Sequence, residues 1–283
     1  MFNIYFFKEK QRNIQIEEII NFFEEIGDCR SSSSEDEFKY TYTHPVLNDY
    51  SCSFILSKKS VVPEIYRISP KYLDLKFRIE FPILTPTYIA VGFLNIVKKL
   101  TQIFGYYVYC EFFKDAIAFK IDIVQSTFEL VKDYYLKKYQ DNLNEYDFIS
   151  KDRLTSILRY IDEMSALKTY YSDLKINVPE YHCLKDNQNK LCFAIEWKDL
   201  TATLVPSQVD YVFYKHAGVV SIYKYSEILE LINKYLLDVP SFISGTKITP
   251  ENNLRKISKT VLKSKLEKQI TLEPYNLERI MDV

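Results

Sequence analysis

The chain has 283 residues, with 37 Lys plus Arg against 38 Asp plus Glu, and 47% of its residues are apolar. This composition excludes the polar, strongly charged signature of disorder, and it excludes a bulk field able to draw in nucleic acid or anionic lipid, so any such binding needs a local patch. Five cysteines (Cys29, Cys52, Cys110, Cys183, Cys192) form an odd set with no CxxC pair, which fits neither a disulfide framework nor a four-ligand zinc site and points to reduced thiols in a cytoplasm.

The length suits two ordinary domains, expected at 1–145 and 146–283. Residues 2 to 7 read as a first strand rather than a leader, since charges follow at once with no small-residue cleavage site. Ile16, Ile19, Ile20, Phe23 and Ile26 then fall at helical spacing, with Gly27 placed to stop the helix. Ser31 to Glu37 reads as a polar, acidic loop, and Phe38, Tyr40 and Tyr42 alternate with polar neighbours as in a half-buried strand. Ser51 to Leu56 is another strand, and Leu73, Leu75, Phe77, Ile79 and Phe81 alternate with charges in the clearest strand of the chain. A buried helix from about Thr87 to Phe104 is too short to span a bilayer. Strands at Tyr106 to Phe112 and Ala116 to Ile123 and a helix from about Ser126 to Lys138 complete the first domain. The order β-α-β-β-β-α-β-β-α predicts an α+β fold, an antiparallel or mixed sheet with helices on one face, as an elaborated split βαβ.

Gln140 to Lys151 is a polar linker candidate, followed by an amphipathic helix from about Lys151 to Leu174. Strands are expected near Glu180 to Leu184, Leu191 to Trp197, Val209 to Lys215 and Val219 to Tyr223, with Asp186 to Asn189 as the turn between the first two. A helix from Ser226 to near Pro240 and a last helix from about Pro250 to Gln269 end the second domain: a helix, antiparallel strands, two helices.

Common enzyme chemistries find no foothold. The five glycines are scattered singly, so phosphate-cradling fingerprints are absent, and no G-x-S-x-G elbow or kinase signature occurs. None of His44, His182 and His216 has the spacing of a metal motif, and His44 and His216 read as turn residues. The abundance of Tyr (24) and Phe (19) beside many Ile, Lys and Asn follows AT-rich codon usage, which makes it weak support for a base-stacking platform.

Two constellations stand out. The strand Ala194 to Lys198 ends in Glu196-x-Lys198, with Asp186 upstream across the turn. This resembles the strand of metal-dependent nucleases of the PD-(D/E)xK type, in which the acidic pair would hold Mg²⁺ and the Lys would orient the attacking water. The resemblance covers about fifteen residues and departs from that pattern, because no Pro precedes Asp186 and a strand replaces the expected helix. On the last helix, Arg255, Lys259 and Lys263 recur every four residues, flanked by Lys256, Lys265 and Lys268, with Leu254, Ile257, Val261 and Leu262 on the other side.

The sequence therefore leads to a non-enzymatic, cytoplasmic protein-binding or adaptor protein without metal or cofactor, with an immunity or defence-accessory protein of a bacterium or phage as one member of that class. Arg255, Lys256, Lys259 and Lys263 are its expected binding residues. The alternatives are a Mg²⁺-dependent nuclease on Asp186, Glu196 and Lys198, and nucleic-acid binding through the basic helix.

Overall fold

The computed structural model describes residues 1–10, 16–239, 242–264, 266 and 271–283. It is an α+β structure in two compact units, one of residues 1–145 with Val283 and one of residues 146–282.

In the first unit, β1 (Phe2–Glu9), β2 (Cys29–Ser33), β3 (Glu37–Thr43), β4 (Ser51–Ser57), β5 (Tyr72–Phe81), β6 (Tyr107–Tyr109) and β7 (Ile117–Ala118) make one sheet in the order β2-β3-β4-β5-β1-β6-β7. Every pairing is antiparallel, so β1 sits between two antiparallel neighbours where a split βαβ has a parallel pair. Helices α1 (Ile16–Ile26), α2 (Thr87–Phe104) and α3 (Ile121–Lys138) cover one face. The Phe23 ring lies 4.7 Å from both Phe54 and Tyr40, Phe93 lies 5.6 Å from Phe81, and Phe128 lies 5.3 Å from Phe2. These offset and edge-on contacts hold the helices to the face that Phe2, Ile4 and Phe6 present at alternate positions. On the other face, Tyr5, Phe7 and Tyr109 are closed over by Val62 and Ile68 from the loop between β4 and β5. Gly105, at φ 61°, ends α2 in the left-handed conformation that a side chain disfavours.

Three details correct the sequence reading. Ser31 to Ser33, expected in a loop, lie in the edge strand β2, paired Ser31 to Tyr40; an edge strand exposed on both faces carries no hydrophobic alternation to betray it. The strand expected over Ala116 to Ile123 is limited to β7, because α3 starts at Ile121, where Asp122 sits favourably in the first turn. In β5 the alternation breaks opposite Phe6 and Phe7, where the register jumps from Phe77 to Asp74 and Lys76 takes φ 55°, leaving Leu73 exposed.

The second unit begins with β8 (Asp147–Ile149), inside the expected linker, and α4 (Lys151–Ser172). Strands β9 (Tyr181–Asp186), β10 (Leu191–Lys198), β11 (Leu204–Val205), β12 (Tyr211–His216) and β13 (Val219–Lys224) follow, then α5 (Tyr225–Ile232), β14 (Leu237–Asp238), β15 (Lys247–Ile248), α6 (Leu254–Lys263), β16 (Leu272–Pro274) and β17 (Ile280–Asp282). The main sheet runs β13-β12-β10-β9-β16. The strands were expected to be antiparallel, yet β10 and β12 pair in parallel, because the chain between them leaves the sheet to place β11 against β15. β14 also pairs with β15, and β8 pairs in parallel with β17. Trp197, Tyr214 and Tyr223 on one face of the main sheet share a core with Ile228 and Ile232 of α5 and Ile257 and Val261 of α6. The last helix is shorter than expected: Ser264 is extended, so α6 stops at Lys263, while Lys265, Glu267, Lys268 and Gln269 lie outside the described residues.

Candidate interaction surface

Parallel pairing in the register Lys198 to Lys215 brings the carboxyl ends of β10 and β12 out side by side. Asp199, the first residue beyond β10, donates its backbone N–H to the Lys215 carbonyl at 2.9 Å. Its carboxylate is only 7% exposed and accepts from the Tyr214 hydroxyl, from His216 Nδ1 at 2.7 Å and from Ser258 Oγ at 3.1 Å. Burial alone would raise the pKa of Asp199, but these three donors and the Leu200 backbone N–H outweigh it and hold the carboxyl below its usual range. An ionised carboxylate can only accept, so the imidazole carries a proton on Nδ1. Burial and the Asp199 carboxylate together push the Tyr214 hydroxyl well above its ordinary value, which keeps it a donor.

His216 and Ser258 share one oxygen, Asp199 Oδ2, so the tip of the β12–β13 hairpin and α6 are tied to the same atom, and the two donors lie within about 6 Å of each other. The hairpin turns on Ala217 and Gly218, both at positive φ, as a two-residue loop of this twist requires. Around the tie, Leu200, Val219 and Leu262 are exposed. Leu262 thus does not share the buried side of α6, which consists of Ile257, Ser258 and Val261.

Arg255, Lys256, Lys259 and Lys263 are all exposed, and among the described residues none of them has a carboxylate partner. Some cations elsewhere in the unit are paired, Arg153 with Asp210 at 2.5 Å, Lys185 with Asp147 at 2.8 Å and Lys247 with Asp238 at 2.7 Å. The exposed Lys175, Lys190, Lys198 and Lys234 share with those of α6 the lack of a carboxylate partner among the described residues; what distinguishes α6 is that four such cations lie on one short helix. The four α6 cations therefore project a local positive field from a chain of net charge −1.

The nuclease set is not brought together. Asp186 lies at the β9–β10 turn, where its N–H bonds the Lys190 carbonyl and its Oδ1 caps the N–H groups of Gln188 and Lys190. Glu196 stands six residues along β10 from Lys190, about 20 Å away at the rise of a strand, so no single ion reaches both carboxylates. Glu196 and Lys198 do share a strand face, but Glu196 Oε2 pairs with Lys215 at 2.5 Å. Among the described residues no group of three or more His, Cys, Asp or Glu is placed to hold a metal, and no helix is long and apolar enough to cross a membrane. Of the other histidines, His44 Nδ1 accepts the Leu47 N–H at 3.2 Å inside its turn, and His182 packs 5.6 Å from the Phe213 ring.

Sequence reasoning missed the Asp199 cluster. Its members stand 15, 17 and 59 positions from Asp199, and no local motif links them; only the parallel pairing of β10 with β12 and the packing of α6 bring them together. No family model, curated protein or solved structure matches this chain.

Proposed function

We propose that the protein is a non-enzymatic adaptor of a reducing, intracellular compartment that docks an acidic protein surface on the exposed side of α6. One observation carries this reading: Arg255, Lys256, Lys259 and Lys263 stand exposed and unmatched by carboxylates among the described residues, on a helix anchored by buried Ile257, Ser258 and Val261. Complementary charge steers encounter and fixes orientation, and the exposed Leu200, Val219 and Leu262 supply apolar contact beside the charges. The test is affinity purification from the native host with the intact chain and with a triple Arg255→Glu, Lys259→Glu, Lys263→Glu variant. The expected result is a protein that co-elutes with the intact chain, is lost from the equally folded variant, and withstands nuclease treatment. The reading fails if the two profiles are identical. Material that disappears on nuclease treatment would instead assign the same four cations to phosphates, with affinity falling steeply as salt rises.

A further inference from the structure

Strand β13 is one edge of the main sheet and, among the described residues, pairs with β12 alone. With a two-residue loop, His216 and Val219 form the closing hydrogen-bonded pair, and bonded and non-bonded pairs alternate from there. The N–H and C=O of Val220 and of Ile222 consequently point away from β12, and no backbone group among the described residues meets them. Other sheet edges are blunted in familiar ways. β16 has three residues and ends on Pro274, β7 and β14 have two each, and β2 is serine-rich with Arg30. β13 has six residues, no proline, and two exposed valines, Val219 at 61% and Val220 at 53%.

We infer that β13 accepts an extended acidic segment of the partner protein as an added strand, a deepening that rests on the adaptor reading above. Backbone bonds to Val220 and Ile222 would give the affinity, while side chains at alternate positions would meet Val220 and Ile222 on one face and Val219 and Ser221 on the other. Acidic chemistry follows from the surroundings. Lys215 and Lys224 are already paired with Glu196 and Glu227, so the positive charge comes from α6, the helix that Ser258 and Asp199 tie to the hairpin and that carries Arg255, Lys256, Lys259 and Lys263 without carboxylate partners among the described residues. The same cations argue against a second copy of this chain, which would bring its own α6 to the junction.

The test uses the full chain and two synthetic octapeptides, one alternating valine with glutamate and one alternating valine with lysine. The expected outcome is that the glutamate peptide binds and slows amide exchange at Val220 and Ile222, and that the lysine peptide does neither. Ile222→Pro removes an outward N–H without touching the ladder to β12, and should weaken binding about tenfold, the worth of one backbone hydrogen bond. Val220→Pro serves as the second variant if the first does not fold. Strand addition is overturned if the glutamate peptide fails to bind, binds without protecting those two amides, or binds both folded variants as tightly as the parent chain. It is also overturned if the protein alone forms a dimer that Ile222→Pro dissociates. The α6 charge variant keeps the two readings apart: binding that needs Arg255, Lys259 and Lys263 but is indifferent to Ile222→Pro removes the added strand and leaves the adaptor standing.

Discussion

Replacing Asp199 by Ala tests whether one carboxylate holds the β12–β13 hairpin to α6. The substitution strands two buried donors, the Tyr214 hydroxyl and Ser258 Oγ, whereas His216, 45% exposed, turns to water at little cost. Each stranded donor costs about 1–3 kcal/mol, so the second unit should lose about 2–6 kcal/mol. Asp199→Asn, which keeps an acceptor oxygen, should lose roughly half of that. Trp197 is the single tryptophan, buried 6.0 Å from the Tyr214 ring, so its fluorescence during urea unfolding reports on this unit, with the slope expected to stay constant as the midpoint falls. The pH dependence has a definite sign. Because the folded pKa of Asp199 is lowered, its stabilisation is complete above the unfolded carboxyl value of about 3.9 and disappears as pH falls through the folded value, so the gap between parent and Asp199→Ala should narrow in acid. A neutral-pH cost below about 0.5 kcal/mol, the scatter of ordinary surface substitutions, would refute the role assigned to this carboxylate.

Two further outcomes follow from buried polar groups. Tyr160 is fully buried and its hydroxyl donates to the Pro179 carbonyl at 2.8 Å, so Tyr160→Phe should cost about 1–3 kcal/mol in chemical denaturation by leaving that carbonyl unmet, and a neutral result would mean that water reaches it. The cysteine thiols are held protonated chiefly by burial, Cys29 and Cys110 pushed up to about 11, Cys183 and Cys192 to about 12, and Cys52 well above its usual value. Alkylation of the native protein near neutral pH should therefore run far slower than that of free cysteine, with all five sites reacting once the chain is denatured; modification of any native thiol at the free rate would contradict this.

Much of the fold could be read locally. The helix Thr87 to Phe104 has the residues expected of it, because apolar side chains recur at the helical period and Gly105 provides the stop. The Asp186 to Asn189 turn likewise joins β9 to β10 in register, Leu191 opposite Lys185. Reading failed where local pattern carried no information. β2 is exposed on both faces, and β10 is buried at five consecutive positions from Leu191 to Ile195, so neither alternates. A strand with no alternation cannot announce its partner, and the parallel pairing of β10 with β12 went unread.

The candidate surface divides in the same way. Composition, the α+β character and the cationic spacing of Arg255, Lys259 and Lys263 are properties of the chain as written, since they depend on residue type and a helical period of 3.6. The separation of Asp186 from Glu196, the exposure of Leu262, the free edge of β13 and the meeting of Tyr214, His216 and Ser258 on Asp199 were decided by tertiary structure alone. Each depends on which strands lie side by side and where α6 packs, and long-range burial settles both without leaving a mark on neighbouring residues.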